Sequence, residues 1–246
     1  MKLIIKPSIF HYYADPFILE SNSSYIVLIA EEYQRIRRKG RIVILKINLN
    51  TFTLNKQIIL DEKYHLSYPY VFSHNNIKFF SPESSILGKQ FIYSIRKQDD
   101  FYIIQNCFEI KLRMVDASFM ISEHNKNEFT IYYYTGVGNA DGMLVKSKFF
   151  IIDNCLISPT ESCIIDARRP AGNYSENILP LQIISSQYGK GFALIDLNTK
   201  QNVRDEETKF ESFLTRGHHI SKDGNNIVID TLENFSFRLF DFIQKT

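Results

Sequence analysis

Asp15, Glu83 and Asp116 each stand at the edge of a short apolar run, far apart in the chain but similarly placed within their runs. Two carboxylates facing one another across a substrate are the minimum equipment for acid–base chemistry at an acetal. One stays ionised to activate a nucleophile, and the other carries a proton to the departing oxygen. Asp15, in Ala14-Asp15-Pro16-Phe17, is the candidate base or nucleophile; its plain structural alternative is a capped turn before a strand. Glu83, in Pro82-Glu83-Ser84-Ser85, closes an apolar run among polar neighbours and is the candidate acid, the alternative being an exposed strand-end glutamate. Asp116 would orient substrate hydroxyls or tune the acid. Arg169 can keep a neighbouring carboxylate ionised or grip a phosphate.

Other residues could hold a sugar around this trio. Glu31 and Glu32 are adjacent, and consecutive strand side chains face opposite ways, so at most one enters the same site; Glu31 aligns better with Glu83. His65, Tyr68, Tyr134, Gln187, His218 and His219 can contact a sugar through hydrogen bonds or ring stacking. With 20 phenylalanines and 14 tyrosines, however, most rings must fill space between sheets. His218 and His219 diverge if they lie on a strand, and no cysteine or carboxylate cluster accompanies them in sequence. No metal and no cofactor are expected.

Residues so far apart need a fold that gathers them. His65 to Ser85 reads as a polar aromatic start, a short strand (Tyr70 to Phe72), a turn (Ser73 to Asn76), a second strand (Ile77 to Phe80) and an acidic exit. The same design begins at Asp15 and Asp116. Elsewhere Tyr25 to Ala30, Arg41 to Ile47, Gln90 to Ile95, Phe129 to Tyr134, Met143 to Phe150 and Phe192 to Leu197 are short runs rich in Ile, Val, Phe and Tyr. Asn75-Asn76, Asn125-Lys126-Asn127 and Asp223-Gly224-Asn225 supply turns. The best helical stretch is Glu206 to Leu214.

Aligned on the residue before each first strand, the units start at Asp15, Tyr68, Asp116, Arg169 and Gly217, an interval of roughly 50 residues. That spacing has room for four short strands, so the expected fold is all-β: one five-bladed β-propeller over residues 1–246. Inner strands line the channel of such a ring, which would bring Asp15, Asp116 and Arg169 together at one mouth. The second-strand ends would add Glu31 or Glu32, Glu83, Tyr134 and Gln187.

Composition narrows the partners. The 246 residues are 44% hydrophobic and carry a net charge of +2, so no global field favours nucleic acid. The run Arg35-Ile36-Arg37-Arg38-Lys39 reads as a solvated loop or, less often, a patch for phosphate or a lipid headgroup. Cys107, Cys155 and Cys163 have no metal-ligand spacing and leave an unpaired thiol, as in a reducing compartment. The Met1 to Phe10 stretch is too short and interrupted for a secretory leader, so a cytoplasmic location is expected.

The ordered motifs Ala14-Asp15-Pro16-Phe17, His65 to Phe72, Pro82-Glu83-Ser84, Val115 to Phe119, Ala167-Arg168-Arg169-Pro170-Ala171-Gly172 and Gly217-His218-His219 resemble the N-terminal domain family of glucosamine inositolphosphorylceramide transferase. Gln182 and Tyr188-Gly189 are similar to that pattern too. The resemblance runs over almost the whole chain and implies likeness to five-bladed furanosidase propellers of the arabinanase type. It implies Asp15 as base or nucleophile. Tyr68 stands where such enzymes often present their second aspartate, with Asp116 one blade later and Glu83 substituting for their acid. It also implies intracellular glycosyl transfer from an activated sugar, bound through Arg169 with help from Arg168 or His65, to a glycan or glycolipid in surface polysaccharide or glycolipid assembly. A peripheral membrane surface or a biosynthetic complex would be a further partner. Hydrolysis of a furanoside and noncatalytic carbohydrate binding are the alternatives.

Overall fold

A computed structural model describes residues 2–5, 8–121, 128–136, 142–152, 155–175, 177–183, 191–199, 217–231 and 236–241. The Asn125-Lys126-Asn127 turn, Gln187, Tyr188-Gly189 and the 206–214 stretch lie outside them. Strand β1 (Lys2–Ile5) is followed by a four-stranded antiparallel meander of β2 (His11–Ser21), β3 (Tyr25–Gln34), β4 (Lys39–Asn48) and β5 (Leu54–Leu60). A second meander contains β6 (Ser67–His74), β7 (Ile77–Glu83), β8 (Gln90–Gln98) and β9 (Phe101–Ile110). The third is β10 (Val115–Ile121), β11 (Glu128–Tyr134), β12 (Leu144–Ile152) and β13 (Cys155–Asp166). Next come β14 (Gly172–Asn173) and a two-stranded sheet of β15 (Ile178–Gln182) and β16 (Phe192–Asp196). The last sheet runs β1, β19 (Ser236–Asp241), β18 (Asn226–Thr231), β17 (Gly217–Asp223) and β14.

The molecule is therefore an all-β, mostly antiparallel, four-bladed propeller, and the expected five blades are corrected. Four sheets have four or five strands, whereas the stretch starting at Arg169 contributes only the β15–β16 pair among the described residues. The interval of roughly 50 residues measured chain length, which permits four strands without requiring them. Two features of this stretch work against a full sheet. Pro170 and Pro180 remove ladder donors, and β14 is drawn away to pair in parallel with β17, Gly172 opposite Ile220.

The inner strands β17, β2, β6 and β10 stand side by side around the hub. The main core lies between the first three sheets. Phe17 is fully buried there against the rings of Tyr68 and Tyr70, at centroid distances of 5.2 and 5.1 Å, and each ring of this size contributes about 1.5–3 kcal/mol by leaving water. A second cluster joins Ile26, Leu28 and Val43 of the first sheet to Val228 of the last. Among the described residues no helix is long and apolar enough to cross a membrane.

Candidate functional site

Each inner strand of the four blades starts with the same irregularity. Register shifts occur between Ala14 and Phe17, Ser67 and Tyr70, Val115 and Ser118, and Gly217 and His219. Each shift is a β-bulge, and Asp15, Tyr68, Asp116 and His218 are the residues it inserts. Asp15, Tyr68 and Asp116 hold φ of 47°, 43° and 48°, a left-handed backbone that non-glycine residues adopt at a cost of about 1–3 kcal/mol. Bulges re-aim side chains. Pro16 and Pro69 fit within these strands because a bulge has no ladder bond for them to miss.

Three of the four re-aimed residues meet. Asp15, Asp116 and His218 line one cavity of about 300 Å³ together with Glu31, Glu83, His65, Arg169, Asp230, Ser67 and the tyrosines 12, 13 and 33. A larger cavity of about 590 Å³ at the opposite end of the inner strands, lined by Leu19, Phe72, Lys78 and Lys222 among others, contains none of the candidate residues. The smaller cavity is where the ionisable groups converge.

Arg169 closes on Asp116, its Nε donating to Oδ2 at 2.7 Å and its terminal nitrogen at the same distance. Glu83 is tied to Asp116 as well: the Asp116 backbone N–H donates to Glu83 Oε2 at 3.2 Å, and Ser85 Oγ donates to the other oxygen at 2.7 Å. Across the cavity, the Asp15 backbone N–H donates to Asp230 Oδ2 at 3.3 Å. His218 Nδ1 lies 3.4 Å from Asp15 Oδ1 and 3.5 Å from Asp230 Oδ2, and its Nε2 is 3.4 Å from the Gln182 side-chain amide. Glu31 faces His65 Nε2 at 3.7 Å, while His65 Nδ1 accepts the Gly40 N–H at 2.8 Å.

Burial dominates the electrostatics. It pushes Asp15 up to about 7, with Asp230 and Asp116 adding to the rise and His218 and Arg169 opposing it. Asp116 also rises to about 7 through burial, partly offset by Arg169 and reinforced by Glu83. Glu31 is raised well above 4.5 by burial and by the charges of Asp15 and Asp230. Burial alone would lower His218, but the Asp230 and Asp15 carboxylates carry it above its ordinary value. His65 has no such compensation, and burial lowers it.

Several residues chosen from sequence lie elsewhere. Tyr68 stands beneath the site as a pillar: it is 2% exposed, and its hydroxyl accepts the Gly172 N–H at 2.8 Å and lies 3.2 Å from Ser118 Oγ. His219 turns into the core, 4.4 Å from the Phe17 ring. Tyr134 is buried with its hydroxyl accepting the Gly142 N–H, and Arg169 lies over its ring at 5.8 Å. Arg168 binds Asp166 through two hydrogen bonds of 2.9 and 2.6 Å. Gln182 stands behind His218. Glu32 faces away from the cavity toward Arg41 and Lys56. In the basic run, Arg37 and Lys39 pair with Asp61.

Sequence reasoning missed Asp230, Tyr12 and Tyr33. Asp230 ends the apolar second strand of the last blade as Glu31 ends that of the first, so the signal was an acid closing Ile227-Val228-Ile229. Tyr12 and Tyr33 are a cross-strand pair stacked at 5.0 Å on the cavity wall. No carboxylate cluster was expected around His218, yet the fold brings two carboxylates to it. Asp15, His218 and Asp230, all buried, offer ligand atoms within 4.8 Å of one another.

Fold and site together define a β-propeller with an acidic cavity at one mouth of its hub. The chain belongs to the family described as "Glucosamine inositolphosphorylceramide transferase 1, N-terminal", matching it over residues 5–141. No curated protein matches. Among solved structures, a protein of unknown function from Dyadobacter fermentans is similar with a TM-score of 0.56 at 9% identity, over 93% of this chain and 77% of that one. The β-propeller domain of the Trilobed protease from Pyrococcus furiosus aligns over 96% of this chain and 82% of its own at 8% identity, with a TM-score of 0.35. The expected likeness to five-bladed furanosidases is corrected by the four blades.

Proposed function

We propose that this chain acts on an activated sugar and transfers its glycosyl group to a hydroxyl acceptor in glycolipid or surface polysaccharide assembly. The observation that carries this reading is the meeting of Asp15, Glu83, Asp116 and Arg169 in one buried cavity, in a chain whose family is named after a glycolipid glycosyltransferase. Asp15, with an affinity for protons near neutrality, suits removal of the acceptor's hydroxyl proton. Glu83, whose Oε2 accepts the Asp116 N–H, would serve the second proton transfer, to the departing oxygen. Asp116 keeps Arg169 in position. The Tyr12–Tyr33 pair offers a face on which a sugar ring can lie.

The test is a screen of purified protein against nucleotide sugars and glycan acceptors, followed by Asp15→Asn and Glu83→Gln. Transfer product formed by the natural sequence and reduced at least about 100-fold in either variant, with unchanged circular dichroism, is the expected result. Sugar binding that survives both substitutions without product at any stage would instead make the chain a carbohydrate-binding module.

A further inference from the structure

The cavity gathers more buried carboxyl groups than the proposed transfer uses. Five carboxylates line it, Asp15, Glu31, Glu83, Asp116 and Asp230, against Arg169, His218 and a His65 that burial keeps neutral. Arg169 is committed to Asp116. Isolated charges cost several kcal/mol to bury unless something of opposite sign accompanies them.

The residues around His218 are arranged for such a companion. Its Nδ1 lies between two carboxylates, 3.4 Å from Asp15 Oδ1 and 3.5 Å from Asp230 Oδ2. Bonds of roughly 2.1 Å at tetrahedral angles place neighbouring ligand atoms about 3.4 Å apart, so these separations are those of atoms sharing one small cation. A second, independent sign is Asp15 Oδ1 itself. Asp15 is 6% exposed, and this oxygen is buried with no hydrogen-bond partner. Behind the imidazole, the Gln182 side chain lies 3.4 Å from Nε2, on the side where an outer partner orients a ligating histidine's ring. With Nε2–H donated to the oxygen of that amide, a cation taking the place of the Nδ1 proton would sit between the imidazole and the two carboxylates.

We propose that Asp15, His218 and Asp230 form a tripod for a divalent transition cation, with its remaining coordination positions open to the hub cavity. One imidazole and two carboxylates suit Mn²⁺, Zn²⁺ or a cation of that class, and three protein ligands with open positions are the arrangement of sites that bind a substrate oxygen. If the glycosyl-transfer reading holds, a cation held through Asp15 Oδ1 leaves Oδ2 to the acceptor's proton and gives a donor phosphate a partner that Arg169 alone does not. The tripod itself does not depend on that reading.

The experiment uses chelator-treated full-length protein titrated with Mn²⁺ and Zn²⁺ by calorimetry, with electron spin-echo spectroscopy of the Mn²⁺ form. One equivalent should bind and raise the melting temperature, and the bound Mn²⁺ should show modulation from a directly coordinated imidazole nitrogen. His218→Gln should abolish that modulation, and His218→Gln and Asp230→Asn should each weaken binding at least about 10-fold. Asp116→Asn, in the same cavity but outside the tripod, should leave the affinity unchanged. Lack of stoichiometric binding or of the nitrogen signal in the natural sequence overturns the proposal whether or not the variants fold. Equal weakening by Asp116→Asn and Asp230→Asn also overturns it, since that marks diffuse attraction to an acidic cavity. No sugar enters any of these measurements, so their failure is separable from a failure of the transfer reading.

Discussion

At Glu31 the hub's electrostatic cost can be measured on one side chain. It is buried, faces His65 at 3.7 Å and is surrounded by the fields of Asp15 and Asp230. Its proton affinity in the folded state is therefore raised above that of the unfolded chain, first by burial and then by those charges. A carboxylate shifted in this direction lowers stability as pH rises above its unfolded value of 4.5, and the loss is complete once the folded group has ionised. Glu31→Gln removes the loss while keeping the shape. In chelator-treated protein the variant should melt close to the natural sequence at about pH 5 and about 2–4 °C higher at about pH 8, the shift expected for relief on the order of 1 kcal/mol. A variant that melts lower at the alkaline pH would show that Glu31 is held ionised by a favourable partner. Gly40 belongs to the same arrangement, because a Cβ there would come within 2.4 Å of Glu31 Oε1 and of the Leu66 carbonyl. Gly40→Ala should therefore destabilise the first blade.

At the scale of the element, the working unit is the bulged start of an inner strand. Asp15, Tyr68 and Asp116 share nearly one backbone conformation, but only the two aspartates line the cavity, while Tyr68 braces the hub from below. Tyr68→Phe keeps the ring against Phe17 and removes the acceptor of the buried Gly172 N–H. An unsatisfied buried donor costs about 1–3 kcal/mol, so chemical denaturation should show a loss in that range with the site's side chains still in place. A loss below about 0.5 kcal/mol would mean that water or a shifted backbone replaces the hydroxyl. The shared start of these strands was legible in the sequence because Asp15-Pro16, Tyr68-Pro69 and Asp116-Ala117 occupy the same place before an apolar run. That alignment also led to Glu31 and Glu83. What it could not convey was direction, since an inserted residue changes which face its neighbours present. Tyr68 and His219 were thus read as sugar contacts although both are packed into the core, and Asp230 was passed over although it ends its strand in the same way as Glu31. Blade count was obscured for a related reason. The stretch after Arg169 has a blade's length, but among its described residues only β15 and β16 form a sheet of their own, with Pro170 and Pro180 lacking ladder donors and Gly172 paired in parallel with Ile220.

At the scale of the whole molecule, a ring of sheets must be closed, and here the closing strand comes from the other end of the chain. Lys2 to Ile5 pair antiparallel with Phe240 to Phe237 of β19, so the last blade is built from both ends of the described chain. Such a closure ties together residues more than two hundred positions apart, and contacts across so long a loop offset a large entropy of chain opening. It also covers the edge of β19, which would otherwise present unpaired N–H and C=O groups to other molecules. The same blade carries His218 on β17 and Asp230 on β18, whereas Asp15 stands on the first blade. The acidic cavity therefore spans the junction that the closure holds shut. Deleting residues 2–5 should lower unfolding free energy by about 2–4 kcal/mol, the sum expected for four ladder pairs at the usual net value of a backbone hydrogen bond. It should also increase self-association through the uncovered edge and weaken cation binding in the same preparation, because His218 and Asp230 then lose their fixed position relative to Asp15. Urea unfolding followed by circular dichroism, light scattering and the Mn²⁺ titration check the three consequences separately. If stability falls while cation affinity stays unchanged, the junction is held by the packing of Ile26, Leu28 and Val43 against Val228, and the closing strand serves only to protect the sheet edge.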